Sequence, residues 1–238
     1  MNSKSIVTSI VSNEDYGVCY EPVVSLKDMN IIGYEALSRF KYKSKLISPI
    51  EVFSCVHDDA ELFFLLESIM KKFQIKNRPH DKTLFLNLDP DVTTDSKHMK
   101  FWINELKKQK NIIVEIVENS DEENAKDVEI FMKEMDNNKI SYAYDDYAKP
   151  NSMFFASLLH QASVIKLDID FLRTISINEA YIEVAKGIVN YAKKTGKKTV
   201  LEGVEGQKEL QIAQKLDVDY IQGYMFKKDF ITKWKRSI

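Results

Sequence analysis

Two adjacent carboxylates, Asp145 and Asp146, close the apolar stretch 140–147, ISYAYDDY. A strand that buries its length and ends on acids delivers charge to a site rather than to a core. Side chains alternate faces along a strand, so neighbouring Asp residues converge where the strand gives way to a loop. There one carboxylate can bridge two cations while its neighbour holds one of them. An Asp-Asp pair alone is also ordinary turn chemistry. What sets this pair apart is the series around it: Glu35, Asn87, Glu115, Lys166, Glu202 and Gln222 each fall in the second part of a strand-like segment. Each has a structural explanation by itself, but a series in successive strands is much harder to explain that way. Carboxylates gathered in a confined space repel at several kcal/mol per uncompensated charge. They either protonate or take up cations. Oxygen ligands with one neutral amide suit Mg²⁺ or Mn²⁺. His57, His80, His98 and His160 fall away from the strand ends and HExxH is absent, which argues against zinc.

The elements that must position these residues alternate regularly. Strand patterns cover 17–26, 30–39, 83–88, 111–118, 140–147, 162–168, 198–205 and 218–222, with Pro22 marking an irregular place in the first. Helical patterns cover 49–77, 96–110, 121–137, about 152–160, 179–195 and 207–216, and residues 227–238 read as a basic helical tail. Eight strands interleaved with helices predict an α/β fold, a TIM-like (β/α)8 barrel, whose C-terminal mouth would hold the polar series. An open doubly wound sheet is the alternative, but no Gly-rich phosphate loop follows the first strand. One domain is expected over 1–238, with its core at about 17–226.

Composition narrows the function. The 238 residues are 44% hydrophobic and 29% charged, with a net charge of −2, which disfavours a nucleic-acid polymer or a membrane surface as partner. Cys19 and Cys55 lack metal-type spacing and suggest a reducing, cytoplasmic setting. The first seventeen residues contain no sustained apolar run, so neither a signal peptide nor a membrane span is expected.

The segment 34–39, YEALSR, resembles the signature of the EAL domain family, phosphodiesterases that hydrolyse cyclic di-GMP. LNLDP with Asn87, EIVE with Glu115 and Glu118, DDY, IKLD with Lys166 and Asp168, EGVE with Glu202 and Glu205, and QGYMF with Gln222 are similar to that family in order and approximate spacing. The resemblance covers 20–226. It implies a barrel whose first strand is antiparallel, a homodimer, and two divalent cations, Mg²⁺ or Mn²⁺. Carried over, Glu35, Asn87, Glu115 and Asp145 would ligate one metal, and Asp145, Asp146 and Glu202 the second. Lys166 would orient or help deprotonate the attacking water, and Gln222 would hold a water beside the metals. Glu35, Lys166, Glu202 and Gln222 form the expected catalytic set. Glu21, Leu37, Arg39, Asp168 and Glu205 would face or support the substrate. The product would be linear pGpG.

Two places depart from the family pattern. After the Asp pair the family runs Phe-Gly-Thr/Ala-Gly, whereas this chain has Tyr147, Ala148, Lys149 and Pro150. Both glycines are gone and Pro150 restricts the backbone. Glu118, expected to brace that loop, is kept. Glu21 stands where the family usually has Gln, placing a carboxylate where an anionic ligand is expected.

Overall fold

The computed structural model describes residues 3–117, 122–147 and 156–236. Its strands are β1 (Tyr16–Ser25), β2 (Ile31–Tyr42), β3 (Lys45–Ile47), β4 (Thr83–Asn87), β5 (Ile112–Val117), β6 (Ser141–Tyr147), β7 (Val164–Leu167), β8 (Lys198–Leu201), β9 (Tyr220–Ile221) and β10 (Ile231–Trp234). The helices are α1 (Ser3–Ser12), α2 (Pro49–Ser54), α3 (Ala60–Asn77), α4 (Ser96–Leu106), α5 (Glu122–Asn137), α6 (Ala156–Gln161), α7 (Ile169–Ile177), α8 (Tyr181–Lys194) and α9 (Gln207–Leu216).

Eight strands close a barrel in the order β1, β2, β4, β5, β6, β7, β8, β9 and back to β1. From β2 round to β9 the neighbours are parallel. β1 runs antiparallel to both β2 and β9. The expected TIM-like barrel and its reversed first strand are both present. Pro22 lacks an N–H, and it tolerates this position because its stretch of β1 bonds to β2 on one side alone: β9 reaches Val24 and Ser25, and β10 reaches residues 17–20.

The tail departs from the helix expected over 227–238. A short 3-10 turn (Tyr224–Asp229) leads into β10, which pairs antiparallel with β1. The alternating side chains of Ile231–Trp234 suit a pleated edge, and Trp234 lies under the Lys41 ammonium at 4.1 Å. Helix α1 was not legible either; it lays Val7 and Ile10 into the core.

Inside the barrel, Val23, Phe85, Ala143, Val164 and Val200 form an apolar layer, with Ile113 and Tyr220 packed against it. Gly33 belongs to the same level: a Cβ there would meet the Thr83 carbonyl at 2.6 Å and the Phe85 ring at 3.0 Å. Side chains on a strand repeat every two residues on one face. Two residues nearer the mouth, every barrel strand or its end therefore presents one polar side chain: Glu21, Glu35, Asn87, Glu115, Asp145, Lys166, Glu202 and Gln222.

Candidate active site

Lys166 stands at the centre of this ring and is almost wholly buried. Its ammonium lies 2.6 Å from Glu115, 2.7 Å from Glu202, 3.0 Å from Asp145 and 3.5 Å from Glu35. Asn87 Nδ2 donates to Glu35 at 2.7 Å and to Glu115 at 3.0 Å, and Gln222 Nε2 donates to Glu35 at 2.5 Å. Asp146 joins the ring through a bulge. In the β6–β7 ladder, Tyr144 faces Ile165 but Tyr147 already faces Leu167, so two residues of β6 stand against one of β7. Asp146 takes a left-handed φ of 55°, a conformation that Asp tolerates better than most residues. The convergence expected at a strand-to-loop junction is achieved within the strand itself. Asp145, Asp146 and Glu202 each offer an oxygen, all within 4.8 Å of one another.

Electrostatics follow from burial. Burial pushes Glu202 up to about 8, against the pull of Lys166. It raises Asp145 to about 6, with Asp146 and Glu35 adding to the effect. Glu115 sits well above the ordinary carboxylate range through burial and the neighbouring Glu35. Burial also acts on Glu35, but Lys166 and the amides of Gln222 and Asn87 outweigh it and hold this group low. The surrounding acids drive Lys166 well above a free lysine despite its burial. At the rim, burial and the facing Glu35 raise Glu21 to about 7.

Two cavities flank the ring. The larger, about 500 Å³, is walled by Leu37, Arg39, Glu67 and Lys71 together with Glu35, Asn87 and the Asp pair. The smaller, about 350 Å³, is walled by Glu21, Arg173, Glu205, Gln222 and Tyr224. Glu202 belongs to both. Leu37 and Arg39 thus line the larger cavity, and Glu21 and Glu205 the smaller. Asp168 does not line either cavity. Strand β7 ends at Leu167, and Asp168, still extended and buried, caps α7, accepting from Asp170 N at 2.7 Å. Glu118 and the altered loop positions 148–150 lie outside the described residues.

Sequence reasoning missed the inner face of α3. Glu67, Lys71 and Gln74 interrupt its apolar stripe at helical spacing, and all three are buried. Gln74 Nε2 donates to the Ala36 carbonyl at 3.3 Å and to Ser38 Oγ at 3.1 Å, while Tyr20 donates to the Gln74 carbonyl at 2.7 Å. These bonds anchor the strand that carries Glu35. Lys71 pairs with Glu67 at 2.9 Å in the wall of the larger cavity. Polar residues on the apolar face of a helix were the available signal.

A closed barrel with one reversed strand thus carries a ring of buried acids at the mouth where barrel active sites are built. The chain belongs to the EAL domain family, whose model matches residues 4–229. It is 20% identical over 244 residues to the cyclic di-GMP phosphodiesterase PdeL of Escherichia coli, covering 96% of this chain and 67% of PdeL. It is 23% identical over 236 residues to the cyclic di-GMP phosphodiesterase PdeA of Borreliella burgdorferi, covering 93% of this chain but 35% of that protein. Among solved structures, the YkuI protein of Bacillus subtilis, with an EAL domain and in complex with substrate c-di-GMP and calcium, superposes with a TM-score of 0.80 at 20% identity, covering all of this chain and 60% of YkuI. The PaMucR phosphodiesterase in complex with c-di-GMP superposes at 0.79 with 17% identity, covering 94% of this chain and 96% of that one.

Proposed function

We propose that this chain hydrolyses cyclic di-GMP to linear pGpG with the help of two divalent cations, Mg²⁺ or Mn²⁺. One observation carries the reading: Glu35, Glu115, Asp145 and Glu202, from four separate strands, meet within 3.5 Å of one buried ammonium. The names of the relatives supply the substrate.

The donor set fits such cations. Six carboxylates, counting Glu21 and Asp146, stand against the single lysine of the ring. Glu115 Oε1 and Asp145 Oδ1 are buried without a hydrogen-bond partner beyond the Lys166 ion pair. Asn87 presents its amide nitrogen to the acids here, and turning the amide over would present its oxygen instead. In this reading Glu35, Asn87, Glu115 and Asp145 hold one cation, and Asp145, Asp146 and Glu202 hold the second. When bound, the pair supplies Lewis-acid activation of water and neutralises phosphodiester charge.

The remaining groups position and protonate. Lys166, kept as an ammonium by the surrounding acids, orients the attacking water through Nζ while a neighbouring ring carboxylate takes up its proton, and Gln222 fixes the orientation of Glu35. Arg39, in the larger cavity, takes a phosphate oxygen through its fork of donors. Glu205 meets the ligand in the smaller cavity, while Asp168 acts through the start of α7. One water is consumed: its oxygen joins phosphorus, the bond from phosphorus to the ribose 3′-oxygen breaks, and that oxygen leaves with a proton. Glu118 keeps its proposed bracing role. A homodimer, as the family resemblance implies, in the cytoplasm, where the two free cysteines would stay reduced, completes the reading.

The test is direct. The purified chain with Mn²⁺ or Mg²⁺ and cyclic di-GMP should release pGpG, read by chromatography, and Glu35→Ala should abolish it. Saturable binding without product would make the chain a receptor, and the hydrolase reading would fall.

A further inference from the structure

The eighth member of the ring is Glu21, the contribution of the reversed strand. It lies directly opposite Glu35 in the β1–β2 ladder and borders Gln222 in the smaller cavity. Among the described residues Glu21 makes no direct ion pair: the charges of Lys166 and Arg39 reach it only at longer range, and the Gln222 amide supports it by a hydrogen bond. Lys166 bonds Glu115, Glu202, Asp145 and Glu35; Arg39 donates to the Ser38 carbonyl; Arg173 pairs with Asp170 at 2.7 Å.

Charge counting then singles this residue out. Two divalent cations bring four positive charges and Lys166 a fifth, against the six carboxylates Glu21, Glu35, Glu115, Asp145, Asp146 and Glu202. Five of those acids are drawn in by Lys166 or gathered with Asp145. Glu21 is the one left over, and it borders the cavity beside the ring.

We propose that Glu21 sets the charge of the site, strengthening cation binding while opposing the anionic substrate, so that ligand binding waits on full metal loading. This rests on the preceding functional reading for its substrate. The physical basis is symmetrical. A fixed negative charge attracts a cation and repels a phosphodiester through the same Coulomb interaction, and partial burial strengthens both. A side chain that merely supports the fold, or one that accepts a hydrogen bond from the ligand, would not move the two affinities in opposite directions.

The isosteric variant Glu21→Gln separates these cases. Binding of Mn²⁺ alone and of cyclic di-GMP in excess Ca²⁺ is measured by calorimetry at about pH 8.5, with chain unfolding followed in parallel. Removal of the charge should weaken Mn²⁺ binding and tighten cyclic di-GMP binding, each by about tenfold. Wild-type protein in chelator should show no cyclic di-GMP binding, and Glu21→Gln should recover part of it. Loss of both affinities would overturn the proposal in favour of a structural role. Weaker cyclic di-GMP binding with unchanged Mn²⁺ binding would overturn it in favour of hydrogen bonding to the ligand. If no variant binds cyclic di-GMP even with Ca²⁺, the hydrolase reading falls; weakened Mn²⁺ binding by Glu21→Gln then still supports the charge role, and unchanged binding overturns that as well.

Discussion

The Lys166 ammonium lies 2.6 Å from a Glu115 carboxylate that is wholly excluded from solvent. A buried ion pair is weak evidence of stabilisation, but breaking one by removing a single partner leaves an unpaired charge. Here that partner also serves Glu202, Asp145 and Glu35. Lys166→Met should therefore destabilise the metal-free protein by about 3–5 kcal/mol. Mn²⁺ should restore much of that loss, because the acids regain a counter-charge, while hydrolysis stays absent. Urea unfolding with and without Mn²⁺ reads both effects.

The raised acids tie stability and metal affinity to pH in opposite directions. Asp145 at about 6 and Glu202 at about 8 hold protons in the folded state that the unfolded chain has already released. Their stabilising contribution is fully present below the ordinary carboxylate range. It is lost as pH rises through about 6 and then about 8. The metal-free chain should accordingly be more stable near the lower end of this window than above it. Cations compete with the same protons, so Mn²⁺ affinity should rise across the window, with proton release detected by calorimetry in buffers of different ionisation enthalpy.

Asp146 combines a charge with a strained backbone, and two substitutions divide these roles. Asp146→Asn keeps a side chain that tolerates the left-handed φ of 55° and should lower metal affinity with little change in stability. Asp146→Val should lose stability as well, by about 1–2 kcal/mol, because a β-branched residue resists that conformation. Equal stability of the two variants would remove the bulge argument.

Gln74→Leu tests the support beneath the site. It touches no acid of the ring but removes the donors that reach Ala36 and Ser38. A cost of about 1–3 kcal/mol is expected for the groups left unpaired. Turnover should fall while Mn²⁺ affinity changes little, as loosened packing blurs the position of Glu35.

Barrel strands were legible in this sequence because burial and chemistry reinforce each other: an apolar residue such as Val164 or Val200 is followed two positions on by Lys166 or Glu202. The same regularity revealed most of the ring. The capping role of Asp168 was hidden because extended patterning continues through the residue that starts α7, and a cap looks like a strand end. The strand at Ile231–Trp234 was hidden by Lys233 and the flanking Lys227, Lys228 and Lys235, which suit an edge as well as a solvated helix. Glu67, Lys71 and Gln74 were read as part of an ordinary amphipathic helix, because what they bond to lies dozens of residues away in β2 or depends on packing that local pattern does not encode.

The hydrogen bond from Gln222 to Glu35 spans 187 positions along the chain and lies beside the seam where the reversed strand shuts the barrel. Contacts so distant in sequence form late, since the intervening polymer must first be brought together. A nascent chain emerging from the ribosome therefore carries most of its acids well before it can gather them. In the proposed reading the site is complete only once β9 docks against β1, and partially synthesised copies should be unable to act on the signalling nucleotide.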